Sequence, residues 1–186
     1  MFFPAGFYYK TFMWPPSFWY KIYEPFIRMA AGFGEASIKH DKERYEHKYE
    51  YCDLLITGSG PSGLASAYAA AKNGARVILA EDKPRFGGSL LTSDVNIGNQ
   101  TGVEWTEKII AELKSMPNVT VKNRSQVFGY YDHNMLVMSE RISDHLPKTQ
   151  KYLPKQRLWY IRANEGLISS GSIERPLVFG NNDTPG

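Results

Sequence analysis

The residues with the plainest chemical potential are Gly58-Ser59-Gly60-Pro61-Ser62-Gly63, a G-x-G-x-x-G turn between an apolar run and an alanine-rich one. The spacing suits a chain that must bring bare backbone up to a pyrophosphate. Gly58 permits a tight exit from a strand, Gly60 admits phosphate oxygens with no Cβ in the way, and Gly63 lets helix and strand pack closely. Amides at the start of the following helix, around Pro61 and Ser62, would face the phosphates, where the helix dipole favours negative charge by about 0.3–1 kcal/mol. A glycine-rich turn by itself often does nothing but turn. Here Cys52 to Thr57 reads as a strand before it. Leu64 to Asn73, with Ala65, Ala67, Ala69, Ala70 and Ala71, reads as a helix after it, Gly74 stops that helix, and Arg76 to Ala80 reads as a second strand. Together they form a βαβ unit from Tyr51 to Asp82, the context in which the turn acquires a nucleotide-binding meaning.

Glu81 closes the second strand near the spacing, about 20 residues beyond the turn, expected of an acid that accepts both hydroxyls of an adenosine ribose. A 2′-phosphate would meet like charge there, at about 4 kcal/mol per unit charge for a 4 Å approach and an effective dielectric of about 20. The expected ligand is therefore NAD or FAD rather than NADP. The plainer alternative is that Glu81 or Asp82 only caps a strand.

The elements that must hold these residues follow from composition along the chain. The first third crowds aromatics around Pro15, Pro16 and Pro25. The spacing Trp19, Tyr23, Phe26, Met29, Ala30 predicts a short helix with an apolar face, ended by Gly32 and Gly34. The aromatic segment is expected to pack on the cofactor domain, with a docking surface for another subunit as the alternative. Residues 39–48 are dense in charge and read as a solvated connector, which places a boundary near residue 48. That gives an aromatic-rich segment and connector over 1–48 and a dinucleotide-binding domain over 49–186. Beyond the βαβ start, Val103 to Ser115 has helical spacing and Val119 to Lys122 reads as a strand. Gln126 to Tyr131 and Leu136 to Ser139 read as a hairpin, and Trp159 to Arg162 and Leu167 to Ser170 as later strands. The fold class expected is α/β, a three-layer Rossmann-like FAD/NAD(P)-binding domain.

Composition narrows the partners. Hydrophobic residues make up 42% and charged residues 22%, near the globular average, and the formal charge of +3 is scattered, so neither nucleic acid nor an anionic membrane surface is indicated. No apolar run approaches the roughly 20 residues needed to span a bilayer, and no secretory signal is evident. The single cysteine, Cys52, excludes an internal disulfide and a cysteine-rich zinc site, and it suits a reducing, cytoplasmic setting. The triplets beginning at Asn99, Asn118 and Asn123 are then chance matches to a glycosylation signal. His40, His47, His133 and His145 have no partners spaced like a triad or a metal set, so no catalytic residue and no metal site is expected.

Specific resemblance begins at Arg85-Phe86-Gly87-Gly88-Ser89-Leu90. With Gly58 to Gly74, this is similar to the dinucleotide motif of the glutathione-reductase-like and amine-oxidase-like flavoproteins, in which such glycines lie against the pyrophosphate. Gly6-Phe7-Tyr8-Tyr9-Lys10-Thr11-Phe12-Met13-Trp14-Pro15, Tyr23-Glu24-Pro25, Arg28-Met29-Ala30-Ala31-Gly32, Glu174-Arg175-Pro176-Leu177-Val178-Phe179 and Asn181-Asn182-Asp183 extend the likeness across nearly the whole chain. They resemble the alpha subunits of heterotetrameric sarcosine oxidases. That resemblance implies non-covalent NAD, FAD being the alternative, and assembly with the other sarcosine oxidase subunits. It also implies oxidative demethylation of sarcosine or a related secondary amine at flavins associated with the beta subunit, and a chain that is a fragment cut inside its cofactor domain. It adds Gly88 and Ser89 as second contacts to the cofactor and places Val127 near the adenine edge. Leu167-Ile168-Ser169-Ser170-Gly171 departs from the Ala-Thr-Gly strand end usual in such flavoproteins but keeps small residues before Gly171, where a further cofactor contact is expected. Two other readings remain open, an independent FAD-dependent oxidoreductase domain and a non-catalytic assembly module.

Overall fold

Val77-Ile78-Leu79-Ala80 has no polar alternation, and in the computed structural model all four residues are buried as strand β2 (Val77–Ala80). Such a run belongs in a sheet covered on both faces. The structure describes residues 14–34, 37–147 and 152–172, together with Val178 and Gly180. Phe7, Tyr8, Tyr9 and Phe12 lie outside the described residues, as do Glu174 to Leu177, Phe179 and Asn181 to Asp183.

Two units are present, Met1–Lys42 and Glu43–Gly186. In the first, a π-helical turn (Trp19–Tyr23) runs into helix α1 (Glu24–Ala30), with Pro25 in the first turn, where its missing N–H costs no hydrogen bond. Gly32 and Gly34 follow at positive φ. The helix falls where the aromatic spacing put it. No residue of the turn or of α1 is buried; Trp19 and Tyr23 are half-buried, and Phe26, Met29 and Ala30 are exposed.

The second unit begins its first strand, β1 (Tyr45–Thr57), earlier than the apolar run at Cys52. Then come α2 (Pro61–Lys72), β2, a 3-10 turn at Gly88–Leu91, a two-residue ribbon β3 (Asn96–Ile97) and β4 (Gln100–Thr101), and α3 (Gly102–Ser115). Strands β5 (Val119–Lys122), β6 (Ser125–Tyr131), β7 (Met135–Arg141) and β8 (Gln156–Ile168) complete it. The main sheet runs β5-β2-β1-β8-β7-β6, parallel from β5 to β8 and antiparallel from β8 to β6.

Two apolar clusters give three layers. On one face of the parallel strands Ile56, Val77 and Leu79 meet Leu64, Ala67 and Ala71 of α2 and Ile109, Ile110 and Leu113 of α3. In the other cluster Cys52, Leu55, Ile78 and Ala80 meet Leu136, Met138, Ile161 and Ala163 of the β6–β8 meander. The α/β, Rossmann-like class read from the sequence is thus the one observed.

Strand limits differ where polar contacts replace apolar alternation. Residues 45–48 of the charged connector are strand because they ladder onto β8, Tyr45 opposite Gln156 through Thr57 opposite Ile168, and next to them Tyr49 stacks on Tyr160 at 5.1 Å. All but one of residues 45–51 are exposed, so no buried face marks them in the sequence. Likewise β8 is one strand where two were expected. The polar stretch between them is held by Asn164, whose Nδ2 donates to Asp53 Oδ1 at 3.1 Å, while Asn134 donates to the Asn164 carbonyl at 2.7 Å. Helix α3 opens with a capping box that the sequence analysis passed over. Glu104 N–H donates to Thr101 Oγ1 at 3.2 Å, and Thr101 N–H donates to Glu104 Oε2 at 2.8 Å.

Cys52 is fully buried, and burial first, then the charges of Asp53 and Glu50, push its thiol up to about 12 from the ordinary 9.0. The folded chain therefore keeps a proton that the unfolded chain loses. Its contribution to stability is complete below pH 9.0 and falls away as pH rises toward 12. A thiol-disulfide reagent at pH 8 should label Cys52 only at the rate of unfolding, and rapid labelling in native buffer would contradict the burial.

Candidate dinucleotide site

At the C-terminal end of β1 the chain leaves the sheet through Gly58 at φ +101° and enters α2 at Pro61. The glycine requirements at its first and third positions are internal. A Cβ on Gly58 would lie 2.3 Å from the Ser169 carbonyl oxygen, and one on Gly63 would lie 2.0 Å from the Gly58 carbonyl oxygen. Both are backbone collisions that no rotamer relieves. Gly60 differs: its φ of −67° suits any residue, and a Cβ there would meet nothing within 4 Å. The fold itself does not require glycine at position 60. The bare Cα borders open space at the N-terminus of a twelve-residue helix. Pro61 has no N–H, and the amides of Ser62 and Gly63 have no acceptor within the helix. These amides and the bare Gly60 Cα could hold a pyrophosphate.

Glu81 is 8% exposed, immediately after β2, and its backbone N–H and carbonyl are tied to Lys122 and Ser125 at 2.8 Å each. Its carboxylate turns to the glycine turn. Oε2 accepts from Ser59 N–H at 2.9 Å and from the Ser59 hydroxyl, and Oε1 accepts from Lys83 N–H at 2.9 Å. Asp82 does not share this position. Its carboxylate pairs with Lys83 Nζ at 3.3 Å, half in solvent, and its carbonyl accepts from Arg141 at 3.0 Å.

The double glycine joins the same site. Gly87 N–H donates to the Ser59 carbonyl at 3.0 Å and lies 3.2 Å from its hydroxyl oxygen. A Cβ on Gly88 would come within 2.9 Å of the Gly60 Cα, so this loop lies directly on the glycine turn and brings Ser89 with it. The end of β8 comes in from the other side, with Ser169 N–H donating to the Thr57 carbonyl at 2.8 Å. Gly171 follows two residues later at φ +76°, with open space around it. Val127 sits on β6 two residues after Ser125, whose amide holds Glu81, and its side chain packs against the β6–β8 core cluster.

Ser59, buried and central to these contacts, is the residue the sequence reading missed. Its partner Glu81 lies 22 positions away, and a variable position between two glycines carries no signal of its own. The three histidines of this unit make their contacts elsewhere: His47 stacks on Tyr160, His145 Nδ1 lies 3.3 Å from Asp144 Oδ1, and the His133 carbonyl accepts from Arg162. Among the described residues, no group of three or more His, Cys, Asp or Glu side chains could hold a metal ion. The Asn118 amide is committed inward to the carbonyls of Ala71 and Ala75.

The family model described as FAD dependent oxidoreductase matches residues 53–116, from within β1 to the end of α3. The sarcosine oxidase subunit alpha of Rhizobium meliloti (strain 1021) is 48% identical over 182 residues, 98% of this chain and 18% of its own length. The chain is a homologue of sarcosine oxidase alpha subunits. A second such subunit, from Corynebacterium sp. (strain P-1), is 37% identical over 157 residues, 83% of this chain and 16% of its own length. The chain thus spans less than a fifth of the length of these two curated relatives. Among solved structures, L-proline dehydrogenase from P. horikoshii superposes with a TM-score of 0.56 at 20% identity, covering 82% of this chain and 28% of that one. At that identity the likeness shows the fold, which is the FAD/NAD(P) Rossmann-like one.

Gly63 and Gly60 should separate on substitution. Gly63→Ala forces a backbone collision and is expected to cost several kcal/mol, of the order of overpacking and strain combined, seen as a large fall in the thermal midpoint. Gly60→Ala should unfold with the wild type, within about 1 kcal/mol, and lose dinucleotide binding. Unchanged binding by Gly60→Ala would remove the cradle from consideration.

Proposed function

We propose that this chain binds the ADP half of an adenine dinucleotide, with NAD as that dinucleotide, as part of an oxidoreductase that oxidises a secondary amine of the sarcosine type. The observation that carries the reading is Gly60, the glycine that neither backbone conformation nor packing explains and that a ligand would. In this reading the amides of Ser62 and Gly63 hold the pyrophosphate, Gly88 and Ser89 close over it, and Glu81 takes the ribose. Asp82 and Gly171 flank the site, and Val127 contributes backbone near the adenine edge. The same carboxylate repels a 2′-phosphate, which disfavours NADP.

FAD is the second reading, favoured by the match to an FAD-dependent family model over residues 53–116. The ADP-binding physics is common to both. When bound, the nicotinamide or flavin ring supplies the hydride chemistry that side chains lack. What this chain's residues do is bind and orient. The expectation that it carries no catalytic residue of its own belongs to the proposal, as does assembly with the other subunits of a sarcosine-oxidase-like complex. No helix among the described residues is long and apolar enough to cross a membrane, and a cytoplasmic location is proposed on the single buried cysteine.

Calorimetric titration of the purified chain tests the binding. NAD should give saturable heat with wild type, at least about tenfold weaker with Glu81→Ala and with NADP in place of NAD, the loss expected for a charge-assisted hydrogen bond. Flavin absorbance in the purified protein, with no NAD heat, would shift the reading to FAD. A folded wild type free of flavin that gives no heat with either dinucleotide would end it.

A further inference from the structure

A carboxylate offers about four acceptor positions, two on each oxygen. On Glu81 both positions of Oε2 are taken by Ser59, one by its N–H at 2.9 Å and one by its hydroxyl, and one position of Oε1 is taken by Lys83 N–H at 2.9 Å. One position remains, on Oε1. We infer that Ser59 is a positioning residue that limits Glu81 to a single hydroxyl of the adenosine ribose, in place of the two that the glycine-turn motif alone leads one to expect. This rests on the dinucleotide reading above and refines which part of the ligand that site discriminates.

The Ser59 hydroxyl is suited to that role because it is fully buried and doubly used. It donates to Glu81 Oε2 and faces the Gly87 N–H at 3.2 Å, so its orientation is fixed from two sides. A single carboxylate oxygen receiving both donors of one residue cannot turn toward the ligand without breaking both bonds. The other oxygen, which accepts from Lys83 N–H, is the one with an acceptor position left. Removing the hydroxyl leaves most of the neighbourhood standing. In Ser59→Ala the Gly87 N–H keeps the Ser59 carbonyl at 3.0 Å, and Glu81 keeps the two backbone amides. Only one acceptor position on Oε2 is released.

The test compares ADP with 2′-deoxy-ADP and 3′-deoxy-ADP by calorimetric titration of the full chain. With wild type, deletion of one hydroxyl should weaken binding about tenfold or more, as loss of a hydrogen bond to a charged group does, and deletion of the other by less than about threefold. With Ser59→Ala the two penalties should converge, because Oε2 becomes able to accept the second hydroxyl. Equal penalties already in wild type would overturn the inference, and that measurement needs no variant to fold. A Ser59→Ala protein in which all three ligands weaken by one common factor, the ratio between the deoxy analogues unchanged, would reduce Ser59 to a structural contact and also overturn it. Absence of heat with ADP itself would instead strike the dinucleotide reading, and this inference with it.

Discussion

The site depends on a steric constraint among three backbone segments that cannot otherwise come together. The carbonyl of Gly58 occupies the place a side chain would take on Gly63, and the carbonyl of Ser169 occupies the place of one on Gly58. Strand β1, the first turn of α2 and the end of β8 therefore meet at main-chain distance. This brings the N-terminal amides of α2 to the edge of the sheet, beside the Gly87-Gly88 loop and the end of β2. The alanine-rich, close-packed face of α2 against Ile56 and Leu79 continues the same logic deeper into the core.

Polar contacts finish what the glycines begin. A carboxylate as buried as that of Glu81 is costly unless its acceptor positions are filled, since removing a charge from water is repaid only by close, well-directed partners. Ser59 and Lys83 provide them from segments on either side of β2, so the residue proposed to recognise the sugar is also the one that ties the turn to the sheet edge. Binding and folding share these bonds. Loss of Glu81 would leave the buried Ser59 hydroxyl without its acceptor as well as removing the ligand contact.

Much of this was legible in the residues. The G-x-G-x-x-G spacing, the apolar run of β2 and the acid at its end each obey a local rule, and each stands in the structure where that rule puts it. The exposed half of β1 was not legible, because residues 45–51 pair edgewise without burying a face, and alternation is the signal by which strands are read. The continuity of β8 through Asn164 was hidden for a related reason, since polar ties to Asp53 and Asn134 took the place of apolar periodicity. Ser59 was illegible in a third way, its meaning residing wholly in a partner distant along the chain. Thr101 and Glu104 of the capping box, by contrast, carried a recognised local signature and were simply passed over.

The pairing of β1 with β8 runs for thirteen residues, and at the rise of an extended chain its two ends lie roughly 40 Å apart. Charge is screened over about 8 Å in physiological salt. An ion, a modification or a neighbouring protein arriving at the Glu46, His47 and Lys48 end would thus change the potential at the glycine turn hardly at all. Any signal between the two ends would have to travel mechanically, through the register of the ladder.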